Sequence, residues 1–358
     1  MKFIFCLLLS IFLFTVSLLA QCLHTPKCPF NSCYYGGDGL SKSTAYQIWT
    51  TDDLTELSDS VRYILSNWHF GKHFRLMQDI SDSVRQPIWG IFRGHFHGGG
   101  HKINVAMVYD PPLSPAIALF TSLYIDGSID SLTLNGYGAI IVGSTGSGNG
   151  MFASVSNCTS NVSIIFPGNN GGSGIVGHNK GIVYNCVFNG TIIGINQVGG
   201  IAGINDMGGH IINCINNGKI TATNSGANTG ITGQPTSNNG VGGIVGSHPN
   251  ATGGSIRNNI NTGSVEGQNM AGGIVGVVVA SSGMYPILPT INNINYGFVK
   301  GNKIVGGILG WVIGTNINIS NNSNFGVVVG EEDTGCIVGK NNGGNISNNH
   351  YDKQMCGE

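Results

Sequence analysis

The sequence predicts an all-β chain folded as a right-handed parallel β-helix (a solenoid) with a short N-terminal capping helix. Three observations carry this. A glycine-flanked apolar step recurs through residues 151–358, and an asparagine-led motif follows nearly every copy. The apolar runs between glycines and asparagines are three to five residues long and rich in Ile and Val. The chain of 358 residues also carries 58 glycines but only 16 Lys+Arg and 17 Asp+Glu. Helices need about ten or more residues and resist such glycine density, so the short runs read as strands.

The N-terminus reads as an address. Lys2 precedes an apolar run from Phe3 to Ala20, the pattern of a secretory signal peptide over residues 1–20. Cleavage after Ala20 leaves Gln21 first. A signal anchor is the alternative, since the run approaches spanning length. Leu19-Ala20-Gln21-Cys22 also resembles a lipobox, with Gln21 standing where a small residue is usual; a lipid on Cys22 would be the only membrane contact. Localisation is therefore secreted or cell surface. Residues 21–50 form a Cys-containing N-terminal segment with Cys22, Cys28 and Cys33, compatible with disulfides after export. The connectivity is not deducible from spacing.

Residues 51–70 read as the capping helix. Thr51 is placed at its N-cap and Asp52, Asp53 and Glu56 in its first turns, with Leu54, Leu57, Val61, Ile64 and Leu65 near one face, and Gly71 ends it. Residues 71–150 are assigned to the first coils and 151–358 to regular repeats.

The repeat is read from two motifs. The first is Ser173-Gly-Ile-Val-Gly177, Gly199-Gly-Ile-Ala-Gly203, Gly242-Gly-Ile-Val-Gly246, Gly272-Gly-Ile-Val-Gly276, Gly306-Gly-Ile-Leu-Gly310 and Gly335-Cys-Ile-Val-Gly339. The second runs from Asn185-Cys-Val-Phe-Asn-Gly190 to Asn321-Asn-Ser-Asn-Phe-Gly326. Its first asparagine recurs at Asn157, Asn185, Asn213, Asn258, Asn292, Asn321 and Asn348, in steps of 28, 28, 45, 34, 29 and 27. One such unit cannot bury its own apolar face, whereas stacked units share a core. These seven asparagines are expected to stack as a structural ladder, their amides satisfying one another. Cys158, Cys186 and Cys214 share a neighbouring column that continues as Asn259, Asn293 and Asn322. A buried thiol column and a disulfide between adjacent coils are both compatible with that spacing.

These motifs resemble the GLUG repeat of bacterial surface and secreted proteins. Gly36–Gly39, Ala45–Ile48 and Asp52–Leu57 are similar to the leader of such proteins, and Phe92–Ile103 and Leu119–Gly136 to their first coils. The resemblance spans residues 35–355 and implies a β-helix. Repeats of this kind occur in adhesin-like proteins and beside the catalytic domain of immunoglobulin A peptidases. This sequence has no His-Glu-x-x-His motif, so the resemblance does not bring zinc peptidase activity with it. The repeats continue to Asn348–Asp352 without an evident cap, which suggests a longer chain or a covering partner.

The search for chemistry returns little. Glycoside hydrolysis needs paired carboxylates. Glu331, Glu332 and Asp333 cluster, but in a turn; Asp79 with Asp82, and Asp126 with Asp130, recur on no neighbouring repeat. His95, His97 and His101 invite a metal reading, yet no carboxylate lies beside them in sequence to orient the imidazoles. An ice-binding face is rejected because Thr191 and Thr221 do not continue at Ser264 and Phe298. A net charge of −1 excludes a basic nucleic-acid footprint. No catalytic residue, cofactor or metal is assigned. The expectation is an exported non-enzymatic β-helix for surface adhesion, recognition or structural display, its ligand a carbohydrate or a host protein. The alternative is a carbohydrate-active β-helix with its site in the insertions 222–241 and 277–289, at Gln234 and Tyr285.

Overall fold

The computed structural model describes residues 36–62, 69–108, 118–148, 151–166, 172–206, 208–223, 239–249, 254–280, 289–315 and 317–356. The signal-like segment, Cys22, Cys28, Cys33, Gln234 and Tyr285 lie outside them. Strands dominate, and most stack into four long sheets whose internal pairings are all parallel; Ser147–Gly148 and Met151–Phe152 form a separate antiparallel pair. Sheet I has eleven strands, from Tyr46–Ile48 to Asn345–Ser347. Sheet II has fifteen, sheet III nine (from Ile88–Phe92 to Val338–Asn342) and sheet IV five (from Val198–Gly199 to Glu332–Gly335). One coil visits the sheets in turn: Val198–Gly199 in IV, Ala202–Asn205 in III, His210–Ile212 in I, then Ile215–Asn216 and Lys219–Ala222 in II. The fold is a parallel β-solenoid.

The glycine-flanked step is explained by closeness. A Cβ on Gly272 would lie 1.9 Å from the Val275 carbonyl oxygen. One on Gly273 would lie 2.1 Å from the Gly307 oxygen and 2.4 Å from the Asn295 amide carbon. Only glycine lets sheets IV and III fold back on each other here. The apolar residue that follows points inward, and Ile201, Ile244, Ile274 and Ile308 are fully buried. The first coils use a different filling. Phe74, Phe92, Phe96 and Phe120 pack ring against ring at 5.2–5.8 Å, which is why the regular motif fades there.

The seven recurring asparagines all take the left-handed conformation, with φ of 52–58°. From Asn157 to Asn321 each donates its backbone N–H to the residue before the equivalent asparagine of the next coil, as Asn157 does to Tyr184 (3.0 Å) and Asn185 to Ile212 (3.1 Å). Their work is to turn the chain, since Asn tolerates this region better than other side chains. Within this column one amide–amide bond forms, from Asn185 to Asn157 (3.3 Å).

The interlocked ladders run through other asparagines. Asn216, Asn261, Asn295 and Asn324 are fully buried, each Nδ2 donating to the next Oδ1 at 2.7–2.8 Å. Each Nδ2 also reaches a glycine carbonyl two residues on, at 3.0–3.1 Å for Asn261, Asn295 and Asn324. A second ladder joins Asn259, Asn293, Asn322 and Asn349 at 2.9–3.0 Å. It continues the column of Cys158, Cys186 and Cys214, whose thiols are free and buried. Burial pushes the Cys158 and Cys186 thiols well above their ordinary pKa, so these are packing groups and not nucleophiles. A disulfide joins Cys336 to Cys356.

The helix α1 spans Thr51–Arg62 and buries Leu54, Leu57, Ser58 and Val61. It is shorter than the sequence suggests, because His69–Gly71 form a turn, with Lys72 N–H donating to His69 O and Gly71 at φ 66°. Its cap is Thr50 and not Thr51. Asp53 N–H donates to Thr50 Oγ1 (3.3 Å), while Asp53 Oδ2 accepts from the N–H groups of Trp49 and Thr50 (2.8 and 2.9 Å). Ser58 fixes the helix to the first strand of sheet III, donating to Pro87 O and accepting from Trp89 N–H, both at 3.1 Å.

Candidate ligand-binding face and histidine cluster

Alternation in sheet II sends Val162 and Ile164 into the core and Asn161, Ser163 and Ile165 outward. The outward residues stack in columns because strand register is kept from coil to coil. One column is Asn135, Asn161, Asn189, Asn217, Thr262, Tyr296 and Phe325. Its polar part is a continuous chain of hydrogen bonds. Asn161 donates to Asn135 (2.8 Å), Asn189 to Asn161 (2.7 Å), Asn217 to Asn189 (2.9 Å), and the Thr262 hydroxyl to Asn217 Oδ1 (2.6 Å). The row then turns aromatic. Tyr296 and Phe325 stack with centroids 5.4 Å apart and planes 22° apart, while remaining 53% and 43% exposed.

Parallel columns complete the face. Ile165, Ile193, Thr221, Glu266, Lys300 and Val329 form one. Tyr137, Ser163, Thr191 and Lys219 begin another, which reaches Phe298 and Val327. Ile165, Ile193, Phe298, Val327 and Val329 are exposed although apolar. The charges are few, and Lys219 lies 3.8 Å from Glu266. Thr191 and Thr221 belong to different columns: Thr191 pairs with Lys219, and Thr221 with Ile193. The two threonines therefore lie in separate rows, and only Thr191 shares a row with Ser264 and Phe298. The row Asn189, Asn217, Thr262, Tyr296, Phe325 occupies the fifth position of the asparagine-led motif, where the residue type changes from coil to coil, so residue type alone does not mark it as a face.

Chemistry-bearing side chains gather elsewhere, on the outer face of sheet I. His73, His95 and Ser128 are in register, as are Arg75, His97 and Asp130. Asp130 Oδ2 accepts from His97 Nδ1 (2.5 Å), and His97 Nε2 meets His73 Nδ1 at 2.9 Å. With Asp130 ionised, His97 carries its proton on Nδ1, so its Nε2 accepts from His73 Nδ1–H. Burial pushes the Asp130 carboxyl up, but the hydrogen bond from His97, with the Lys42 charge at 3.5 Å, brings it below its ordinary value. His95 stacks on His73 at 4.4 Å and bonds Ser128 Oγ at 2.9 Å. The orienting carboxylate missing from the local sequence is thus supplied by the next coil. His101 stands apart, on Asp79 at 3.3 Å. Among the described residues no group of three or more His, Cys, Asp or Glu is arranged to hold a metal ion. Of the acidic cluster, Glu332 pairs with Lys303 (2.9 Å) and Asp333 with Lys340 (2.8 Å) at the surface.

A buried polar row in sheet III ends on His248. Thr145 donates to Asn179 (2.8 Å), Asn179 to Asn205 (2.7 Å), and Asn205 Nδ2 to His248 Nδ1 (3.2 Å). His248 must be neutral to accept that bond. Burial, with a smaller push from His210 against the pull of Asp206, lowers its pKa to about 4. Burial lowers His73 to about 4 as well, and lowers His95 and His210. A folded-state pKa below the unfolded one means that this contribution is full above pH 6.5 and is lost as pH falls toward 4. For His248 the contribution is about 3 kcal/mol. Urea unfolding between pH 8 and pH 4 is expected to show this loss, with a shallower slope in His248→Asn. An unchanged slope would place His248 outside the pH response.

No protein-family model matches the chain, and no curated protein matches it in sequence. In fold the chain is similar to a crystal structure from Bacteroides ovatus, described as a "putative immunoglobulin A1 protease". The two share 18% identity at a TM-score of 0.51, over 88% of this chain and 87% of the other. At that identity the likeness concerns fold alone. Among the described residues no helix is long and apolar enough to cross a membrane.

Proposed function

We propose that this chain is an exported, non-enzymatic recognition protein of the GLUG-repeat kind, displayed at or released from a cell surface. It binds its ligand on the outer face of sheet II. The coil is right-handed, as parallel strand crossovers within one sheet almost always are. Helix α1 serves as the cap of the first coils, since its apolar face lies against the edge strand Ile88–Phe92 of sheet III. One observation carries the reading: a hydrogen-bonded amide row passes into an exposed aromatic pair on a face with few charges. Edge-to-edge regularity does not require Tyr296, Phe298, Phe325 and Val329 to be apolar, and exposing them costs solubility.

The test is expression of the full chain with fractionation of cells and medium, then incubation of the processed protein with surface polysaccharides and host-matrix proteins. The expected result is an exported protein beginning at Gln21 that is retained on one of these without consuming it. New reducing ends or unsaturated sugar products would favour the carbohydrate-active alternative, and a protein held in the cytoplasm would remove the proposal.

A further inference from the structure

We infer that the ligand of this face is an extended, uncharged polysaccharide chain lying along the solenoid axis, with Tyr296 and Phe325 as its stacking subsite. The inference rests on the sheet II face being the binding surface. Coils repeat at about 4.8 Å, comparable with the advance of one sugar residue in an extended glycan. A row of equivalent groups at that interval therefore matches a polymer better than a compact ligand.

The chemistry of the row narrows the class. A carboxamide has two N–H donors and two acceptor lone pairs. Asn161, Asn189 and Asn217 each use one donor on the neighbour below and accept one bond from above. Each is exposed, leaving a donor and an acceptor for solvent or ligand. Paired neutral donors and acceptors suit hydroxyl groups, which need both. Phosphate, sulfate and carboxylate polymers would instead need Arg or Lys forks. Here Lys219 is beside Glu266, and Lys300 is in register with Glu266 on one side and Val329 on the other. The face offers no run of one sign for a charged chain.

The aromatic end supplies apolar contact. Rings stacked at 5.4 Å and 22° are still 53% and 43% exposed, so each keeps aromatic surface open to a ligand. The C–H face of a pyranose fits such a surface. Phe298, Val327 and Val329 extend it sideways.

The experiment is affinity electrophoresis and pull-down of the processed full chain. The probes are cellulose, mannan, xylan and starch as neutral polymers, and polygalacturonate and heparin as charged ones. At least one neutral polymer should retain the protein, with little change between 50 mM and 500 mM salt. The Tyr296→Ala/Phe325→Ala double variant should bind about tenfold or more weakly while unfolding at the parent temperature. Asn189→Ala/Asn217→Ala should weaken binding less. Retention by charged polymers alone, or by none of the six, overturns the inference. If the chain then binds a protein, or self-associates in sedimentation, and the double variant abolishes it, the face stands and the polysaccharide falls. Neutral-polymer binding that survives both variants removes the face itself.

Discussion

Asn295→Ala is expected to destabilise the protein by about 3–5 kcal/mol. The side chain is fully buried and holds four hydrogen bonds. Its Nδ2 donates to Asn324 Oδ1 (2.8 Å) and Gly297 O (3.0 Å), and its Oδ1 accepts from Asn261 Nδ2 (2.8 Å) and Gly297 N–H (3.1 Å). Alanine leaves those partners in a dry interior, where each orphaned group costs about 1–3 kcal/mol. Leucine would not rescue it, because Gly273 is packed against the amide. Two comparisons isolate the cause. Asn292→Ala, at φ 54°, should cost about 1–2 kcal/mol through backbone strain, and Asn292→Gly much less. Asn189→Ala, on the exposed row, should cost under about 0.5 kcal/mol. Urea unfolding of the four variants measures all of this. Equal losses for Asn295→Ala and Asn189→Ala would show that burial of the ladder is not what matters.

The repeat was legible because stacking imposes it. A residue equivalent to Gly273 meets the backbone of the next coil, and one equivalent to Asn295 meets an identical amide, so each coil must repeat the choice. The same rule explains why three kinds of asparagine were hard to separate. Turn asparagines such as Asn292, buried ones such as Asn295 and exposed ones such as Asn189 recur at the same period, and composition does not distinguish them. The candidate face was illegible for the opposite reason. Outward columns keep their register, but no buried packing fixes their residue type, so Asn217, Thr262 and Tyr296 succeed one another without a repeated residue. The histidine cluster was hidden by distance in sequence. His97 and Asp130 are 33 residues apart, and only strand register makes them partners. The cap of α1 is Thr50, one position before Thr51, with Asp53 closing the box, a difference that side-chain geometry alone resolves.

Ile274→Asp is expected to cost about 5 kcal/mol, the largest effect of any substitution considered. Ile274 is fully buried, directly between Ile244 and Ile308: the Ile244 N–H donates to Ile274 O (3.0 Å) and the Ile274 N–H to Ile308 O (2.9 Å). A carboxylate there loses the apolar contacts and must be desolvated or protonated with no side-chain partner in the isoleucine column. The backbone bonds cannot compensate, since they are already made. In a solenoid each coil contacts only its neighbours, so the damage should be local at first. The coils on either side of residue 274 should uncouple, and unfolding should broaden or split into two steps. Ile193→Asp provides the contrast, because Ile193 lies on the outer face of sheet II and is 38% exposed. It should change stability by less than about 0.5 kcal/mol. Calorimetry with limited proteolysis reads both. Cleavage is expected first in the coils around Ile274 in the core variant, and at the parent sites in Ile193→Asp. A core variant that melts as one unchanged transition would mean that the column through Ile244, Ile274 and Ile308 does not bear the stability of the stack.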